Sequence, residues 1–180
     1  HIDNLPDIKD VKLFLRILKM LNAEIEYIDK NTVDIDCTNV NSWEPSHDLT
    51  RKMRGSSYLM GALMGRFHKF VVDPPGGCDF GIRPIDRHIK SLEALGAHID
   101  YEGGMINGEA DELTGSSIFF DVVTVGATIN AILASVLANG TTTIENAAKE
   151  PHVVDLANFL NHMGANIRGA GTDTIKVKGV

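Results

Sequence analysis

Pro74-Pro75-Gly76-Gly77-Cys78-Asp79-Phe80-Gly81-Ile82-Arg83-Pro84 brings a thiol, a guanidinium, three glycines and three prolines into eleven consecutive residues. Proline removes a backbone donor and fixes φ, and glycine opens conformations other residues avoid, so the segment reads as a loop rather than the interior of an element. Cys78 is the reactive group this loop presents. A thiol between glycines, with Arg83 near it in sequence, is placed for acid or nucleophilic chemistry, whereas a free cysteine more commonly serves as a small core residue. Cys37 fits that second role, since it closes the alternating run Val33-Asp34-Ile35-Asp36-Cys37.

Two further junctions could hold an anion. Lys52-Met53-Arg54-Gly55-Ser56-Ser57 leads into an apolar helix with hydroxyls, amides and the Arg54 cation at its start, and Thr124-Val125-Gly126-Ala127-Thr128 leads into another. Helix N-termini offer backbone N–H groups and a partial positive charge, which suits phosphate or carboxylate. The loop bearing Cys78 enters a third helix at Arg83-Pro84-Ile85-Asp86, where Pro84 suits the first turn. Helix capping is the plainer role for Ser56 and Thr124. With Arg54 and Arg83 beside them, the three junctions read as anion holders around one cleft.

The elements that position these groups follow from a repeat. Leu18-Lys19-Met20-Leu21-Asn22-Ala23-Glu24-Ile25, Leu92-Glu93-Ala94-Leu95-Gly96-Ala97-His98-Ile99 and Leu160-Asn161-His162-Met163-Gly164-Ala165-Asn166-Ile167 share the pattern L-x-x-[LM]-[GN]-A-x-I. Each copy ends an amphipathic helix with Gly or Asn as the stop signal and then enters a strand. A second strand follows each after a turn, at Thr32–Ile35, Gly104–Ile106 and Thr174–Lys178, which predicts three hairpins. Between the repeats lie Ser56–Gly65 and Ala127–Ala138, small or apolar nearly all round, as in helices buried on every side. The strands alternate polar with apolar, as in sheets with one wet face. Helices inside and sheets outside invert the doubly wound arrangement and exclude a Rossmann fold, and Gly55 belongs to no G-x-G-x-x-G fingerprint.

Composition bounds the reading. The 180 residues, 43% hydrophobic and 23% charged, can bury a substantial core, and a net charge of −7 disfavours nucleic-acid binding, although Arg51, Lys52 and Arg54, and Arg83, Arg87, His88 and Lys90, form local basic clusters. The longest apolar run, around Ala131–Ala138, falls far short of the roughly 20 residues of a membrane span, and with no signal-peptide pattern a cytoplasmic location is the default expectation. Two cysteines in dissimilar contexts argue against a disulfide framework and a zinc site, so neither metal nor cofactor is expected. The chain opens on His1 and runs straight into Leu5-Pro6-Asp7, which reads as a piece of a longer protein.

Pro75-Gly76-Gly77-Cys78, Gly81-Ile82-Arg83-Pro84-Ile85-Asp86, Lys52-Met53-Arg54, Val125-Gly126-Ala127-Thr128 and Gly140-Thr141-Thr142-Thr143-Ile144-Glu145-Asn146-Ala147-Ala148-Lys149-Glu150-Pro151 together resemble the UDP-N-acetylglucosamine 1-carboxyvinyltransferases, the UDP-N-acetylglucosamine enolpyruvyl transferases, nearly end to end. The sister shikimate-pathway enzymes are similar in fold and reaction but lack the P-G-G-C loop. The resemblance implies an inside-out α/β barrel, an alpha-beta prism of βαβαββ units, with residues 1–180 forming one incomplete domain that lacks its N-terminal unit and the second domain. It implies transfer of enolpyruvate from phosphoenolpyruvate to the 3-hydroxyl of UDP-N-acetylglucosamine, the first committed step of peptidoglycan synthesis.

Carried over by motif, Cys78 is the expected proton donor to the methylene carbon of phosphoenolpyruvate and the site of a covalent adduct with it and of fosfomycin attack. A thiol with a reference pKa of about 8.5 is mostly protonated near neutrality and can be drawn into range by cations. Arg54 and Arg83 are expected to hold anionic groups in catalysis. Arg83, Pro84, Ile85, Asp86 and Arg87 would cradle the uridine end, and Val122, Val123, Thr124, Val125 and Gly126 the diphosphate. The family pattern has lysine at Val122, which removes one diphosphate contact. Because a Lys-Asn pair, an aspartate base and further arginines belong to the absent parts, these 180 residues alone are expected to be catalytically silent. The alternatives are a non-catalytic nucleotide-sugar-binding or structural module and a thiol sensor, the latter disfavoured because no resolving cysteine lies near Cys78. The expected partners are the two small-molecule substrates, with neither nucleic acid nor membrane, and an exposed domain interface offers a patch for self-association.

Overall fold

A computed structural model describes residues 1–74 and 84–180, so Cys78 and Arg83 lie outside the described residues. Three of its helices carry the repeated motif: α1 (Lys9–Met20), α4 (Asp86–Ala94) and α6 (Pro151–His162). The motif's fifth residue takes a left-handed conformation in every copy, with φ of 73° at Asn22, 103° at Gly96 and 105° at Gly164. The alanine that follows donates its N–H back to the motif's first leucine, Ala23 to Leu18 (3.0 Å), Ala97 to Leu92 (3.1 Å) and Ala165 to Leu160 (3.0 Å). A second bond, from residue 22, 96 or 164 to the carbonyl three positions earlier, completes a Schellman motif at each end. The sequence repeat is therefore a repeated helix stop, with Gly or Asn where φ must be positive.

Each stop feeds a hairpin, as the pattern predicts. β1 (Glu24–Tyr27) pairs antiparallel with β2 (Val33–Asp36), β4 (His98–Glu102) with β5 (Met105–Glu109), and β8 (Asn166–Arg168) with β9 (Thr174–Lys178). Two hairpins extend into larger sheets. β3 (Lys69–Val72) adds to β5, giving the order β3-β5-β4, while β6 (Ser117–Phe119) and β7 (Thr141–Glu145) give β6-β7-β9-β8, with β6 and β7 parallel. Cys37 lies one residue beyond β2 and is half-buried, its carbonyl accepting from Arg66 Nη2 at 2.8 Å.

The two apolar helices are α3 (Tyr58–Phe67), entered through a 3₁₀ turn at Arg54–Ser57, and α5 (Val125–Ser135). They pack against each other in the interior, where Met60, Met64, Ala131, Ile132 and Ala134 are fully enclosed. The contact is close because glycine makes it so: a Cβ on Gly61 would come within 2.6 Å of the Asn130 carbonyl oxygen, and one on Gly65 within 2.8 Å of that of Leu133. β9 turns Ile175 and Val177 inward and Lys176 and Lys178 outward. Helices thus form the centre and sheets the outside.

The last repeat is a whole βαβαββ unit, β6-α5-β7-α6-β8-β9. The middle one runs α3-β3-α4-β4-β5, and where its first strand would lie, the carbonyl of Trp43 accepts from the N–H of Val71 in β3 at 3.1 Å. The first holds only α1-β1-β2. A small helix, α2 (His47–Thr50), is fastened to the end of β3 through Asp73, whose buried carboxylate accepts from Arg51 Nε (2.6 Å), Thr50 Oγ1 (2.7 Å) and His47 Nδ1 (3.0 Å). Among the described residues no helix is long and apolar enough to cross a membrane.

Candidate functional site

Three helices point their N-termini into one pocket of about 420 Å³. From the start of α3 come Arg54, Gly55, Ser57 and Tyr58; from α4 come Pro84, Arg87 and His88; from α5 come Thr124, Val125 and Gly126. The topology explains the convergence. α3 and α5 occupy equivalent places in successive units and run in the same sense, so their first turns reach the same end of the molecule. Each N-terminus carries roughly +0.5 of an elementary charge in unpaired N–H groups, and Arg54 and Arg87 add full charges. The volume falls in the range of small-ligand sites.

Capping does not account for these junctions. None of the residues preceding α3, α4 and α5 caps its helix through a side-chain hydrogen bond. The Ser56 hydroxyl turns away, donating to the carbonyls of Met53 (2.8 Å) and Thr50 (3.0 Å), so Ser57 rather than Ser56 faces the pocket. Pro84 stands outside the first turn of α4, because Ile85 is the residue before the helix and Asp86 its first.

Of the residues expected to bind substrate, Arg54, Pro84, Arg87, Thr124, Val125 and Gly126 are brought together here. Ile85 packs against the core and Asp86 is exposed beside Arg87, its Oδ2 3.5 Å from Nη1. Val122 and Val123 are exposed and do not line the pocket. Arg87 is engaged as well as poised: Nε and Nη2 grip Asp121 in a fork, at 2.9 and 3.1 Å, which ties α4 to the loop entering α5. That fork draws the Asp121 carboxyl below the usual carboxylate range.

His88 emerges in a different role from its basic neighbours in sequence. It is buried against Gly126, where a Cβ would come within 2.7 Å of its Cε1. The nearness of the His88 ring thus accounts for a glycine at 126. Burial, with the Arg54 charge, pushes the imidazole pKa down to about 4, against a smaller opposite pull from Asp86. Its partner is Asn130, a polar residue on the apolar helix α5, 2.6 Å from Nδ1. Both had a signal in the sequence. His88 shares the inward stripe of Ile85, Leu92 and Leu95, and a buried amide must find partners. Tyr58, whose hydroxyl is raised in pKa by burial despite the Arg54 charge, completes the wall.

This fold is that of the enolpyruvyl transferases. The model of the family described as EPSP synthase (3-phosphoshikimate 1-carboxyvinyltransferase) matches residues 1–180, and the chain belongs to that family. It is 56% identical over 179 residues to UDP-N-acetylglucosamine 1-carboxyvinyltransferase 2 of Clostridium acetobutylicum and 57% identical over the same length to the UDP-N-acetylglucosamine 1-carboxyvinyltransferase of Clostridium botulinum. In both cases 99% of this chain and 43% of the relative are covered, so the chain spans under half the length of the curated relatives it matches. Among solved structures, the enolpyruvyl transferase NikO from Streptomyces tendae superposes with a TM-score of 0.85 at 24% identity, covering 99% of this chain and 42% of that one. EPSP synthase from Acinetobacter baumannii gives 0.73 at 19% identity, covering 97% and 40%.

Proposed function

We propose that this chain supplies the nucleotide-sugar and phosphate-binding part of an enzyme that transfers enolpyruvate from phosphoenolpyruvate to the 3-hydroxyl of UDP-N-acetylglucosamine, releasing phosphate in the first committed step of peptidoglycan synthesis. The observation that carries this reading is the convergence of three helix N-termini, Arg54 and Arg87 on one pocket, in a chain 56% identical to proteins bearing that activity in their names. Both substrates are polyanions, and such a pocket favours anions without a metal or cofactor. Arg54 and Arg83 hold anionic groups, the 84–87 segment faces the uridine end, and Thr124, Val125 and Gly126 face the diphosphate.

Cys78 supplies the proton. The sugar hydroxyl adds its oxygen to C2 of phosphoenolpyruvate while C3 takes the proton of the Cys78 thiol; loss of a proton from C3 then expels phosphate and restores the double bond. Residues 1–180 are one incomplete domain of a cytoplasmic enzyme, and the base for the hydroxyl lies elsewhere in the parent, so the isolated chain is silent. The test is to treat the full-length parent with fosfomycin, with and without UDP-N-acetylglucosamine, and map the adduct. Sugar-dependent labelling of Cys78 is expected; no labelling would make the chain a non-catalytic module, and phosphate release by residues 1–180 alone would overturn the silent-fragment reading.

A further inference from the structure

The Asn130 amide is oriented by two contacts that have nothing to do with His88. The N–H of Gly61 donates to Asn130 Oδ1 at 2.8 Å, and Asn130 Nδ2 donates to the carbonyl of Ser57 at 3.0 Å. Turning the amide over would set its nitrogen against an N–H and its oxygen against a carbonyl. The atom 2.6 Å from His88 Nδ1 is therefore the amide nitrogen, a donor with no lone pair to offer, and Nδ1 must accept. The imidazole's single proton then sits on Nε2, the edge beside Gly126, where a Cβ would lie 2.9 Å away and where His88 lines the pocket.

We propose that Asn130 is a positioning residue that locks His88 as the neutral Nε2–H tautomer, so that the pocket receives an uncharged, directed N–H donor among cations. The charged and titratable groups around His88 are Arg54 on the 3₁₀ turn, Tyr58 on α3, and Asp86 and Arg87 on α4; α5 contributes only uncharged residues from Val125 to Ser135. Protonating Nδ1 would place an N–H against the Asn130 amine and could be relieved only by breaking the bonds to Gly61 and Ser57. Burial and the Arg54 charge act in the same direction. The ligand that meets Nε2 rests on the function proposed above; the tautomer does not.

The test is ¹⁵N-histidine labelling of the full-length parent with two-bond ¹H–¹⁵N correlation, the His88 signals being assigned by their loss in His88→Gln. At pH 7, Nδ1 is expected to resonate as an unprotonated ring nitrogen and Nε2 as a protonated one. In Asn130→Asp the carboxylate accepts, so the proton should move to Nδ1 and the His88 titration midpoint should rise by two pH units or more. A protonated Nδ1 in the unaltered protein overturns the lock whether or not the variant folds, as does an unchanged nitrogen pattern and midpoint in a folded Asn130→Asp. UDP-N-acetylglucosamine should then shift the Nε2 signal; the expected tautomer with no such shift would uphold the lock and count against the proposed ligand.

Discussion

The ring of His88 fills the space that a side chain at Gly126 would need, so the first turns of α4 and α5 are fitted to each other at this contact. Replacing Gly126 by alanine should force the ring out of its site, because a Cβ would stand 2.7 Å from Cε1. Overpacking of this kind costs about 1–3 kcal/mol. Calorimetric melting of Gly126→Ala should show that loss, and titration with UDP-N-acetylglucosamine should show weaker binding in the full-length protein; an alanine variant that melts and binds unchanged would show that the contact has slack.

The contact between α3 and α5 predicts a second intolerance. Gly61→Ala places a methyl group 2.6 Å from a backbone oxygen and 2.8 Å from the Asn130 Cα, neither of which can rotate aside. Denaturant unfolding should report a loss of about 1–3 kcal/mol, with the helices pushed apart. Gly103→Ala is the comparison, since nothing lies within 4 Å of a Cβ there, although its φ of 60° adds backbone strain of a different origin.

Stability should fall on mild acidification because of His88. Its pKa is about 4 in the folded chain and near 6.5 when unfolded, so between those values the unfolded state binds a proton that the folded state refuses. The sign follows: stability is greatest above pH 6.5 and declines to pH 4, by up to about 3 kcal/mol. His88→Gln, which can still accept from Asn130, should lose that slope. Unfolding free energies measured at intervals from pH 7 to 4 decide it, and parallel profiles for the two proteins would refute the assignment.

Asp73 governs a lower window. Burial alone would raise its carboxyl, but hydrogen bonds from Arg51, Thr50 and His47 and the Arg51 charge outweigh it and hold the group below the usual carboxylate range. Its contribution is present above the unfolded pKa, near 4, and is lost as pH falls through the lower folded value. Asp73→Asn should cost about 1–3 kcal/mol at neutral pH by leaving buried partners unsatisfied, and should flatten the acid limb of the melting profile below pH 4.

What the sequence made legible was whatever is decided locally. The L-x-x-[LM]-[GN]-A-x-I copies announced three helix stops and hairpins because the Schellman bonds span only six residues. The apolar runs announced the inner helices because burial on all sides leaves no polar face. The inward stripe marks His88 as buried, but its role as an acceptor depends on Asn130, 42 residues further on. The reason for a glycine at 126 is also non-local, since the ring that approaches it comes from another helix. The parallel pairing of β6 with β7 was likewise unreadable, since each strand is short and the partner lies beyond a whole helix.

The backbone-to-backbone meeting of α3 and α5 has a consequence for how such a protein can change. With Gly61 and Gly65 closing the seam, the backbones of the two helices meet directly at Asn130 and Leu133. The pocket lies at the end where the helices begin, and Arg54, Gly55, Ser57, Pro84 and Thr124 of its lining come from the segments that lead into them. New specificity can therefore be written into the rim while the axle stays as it is.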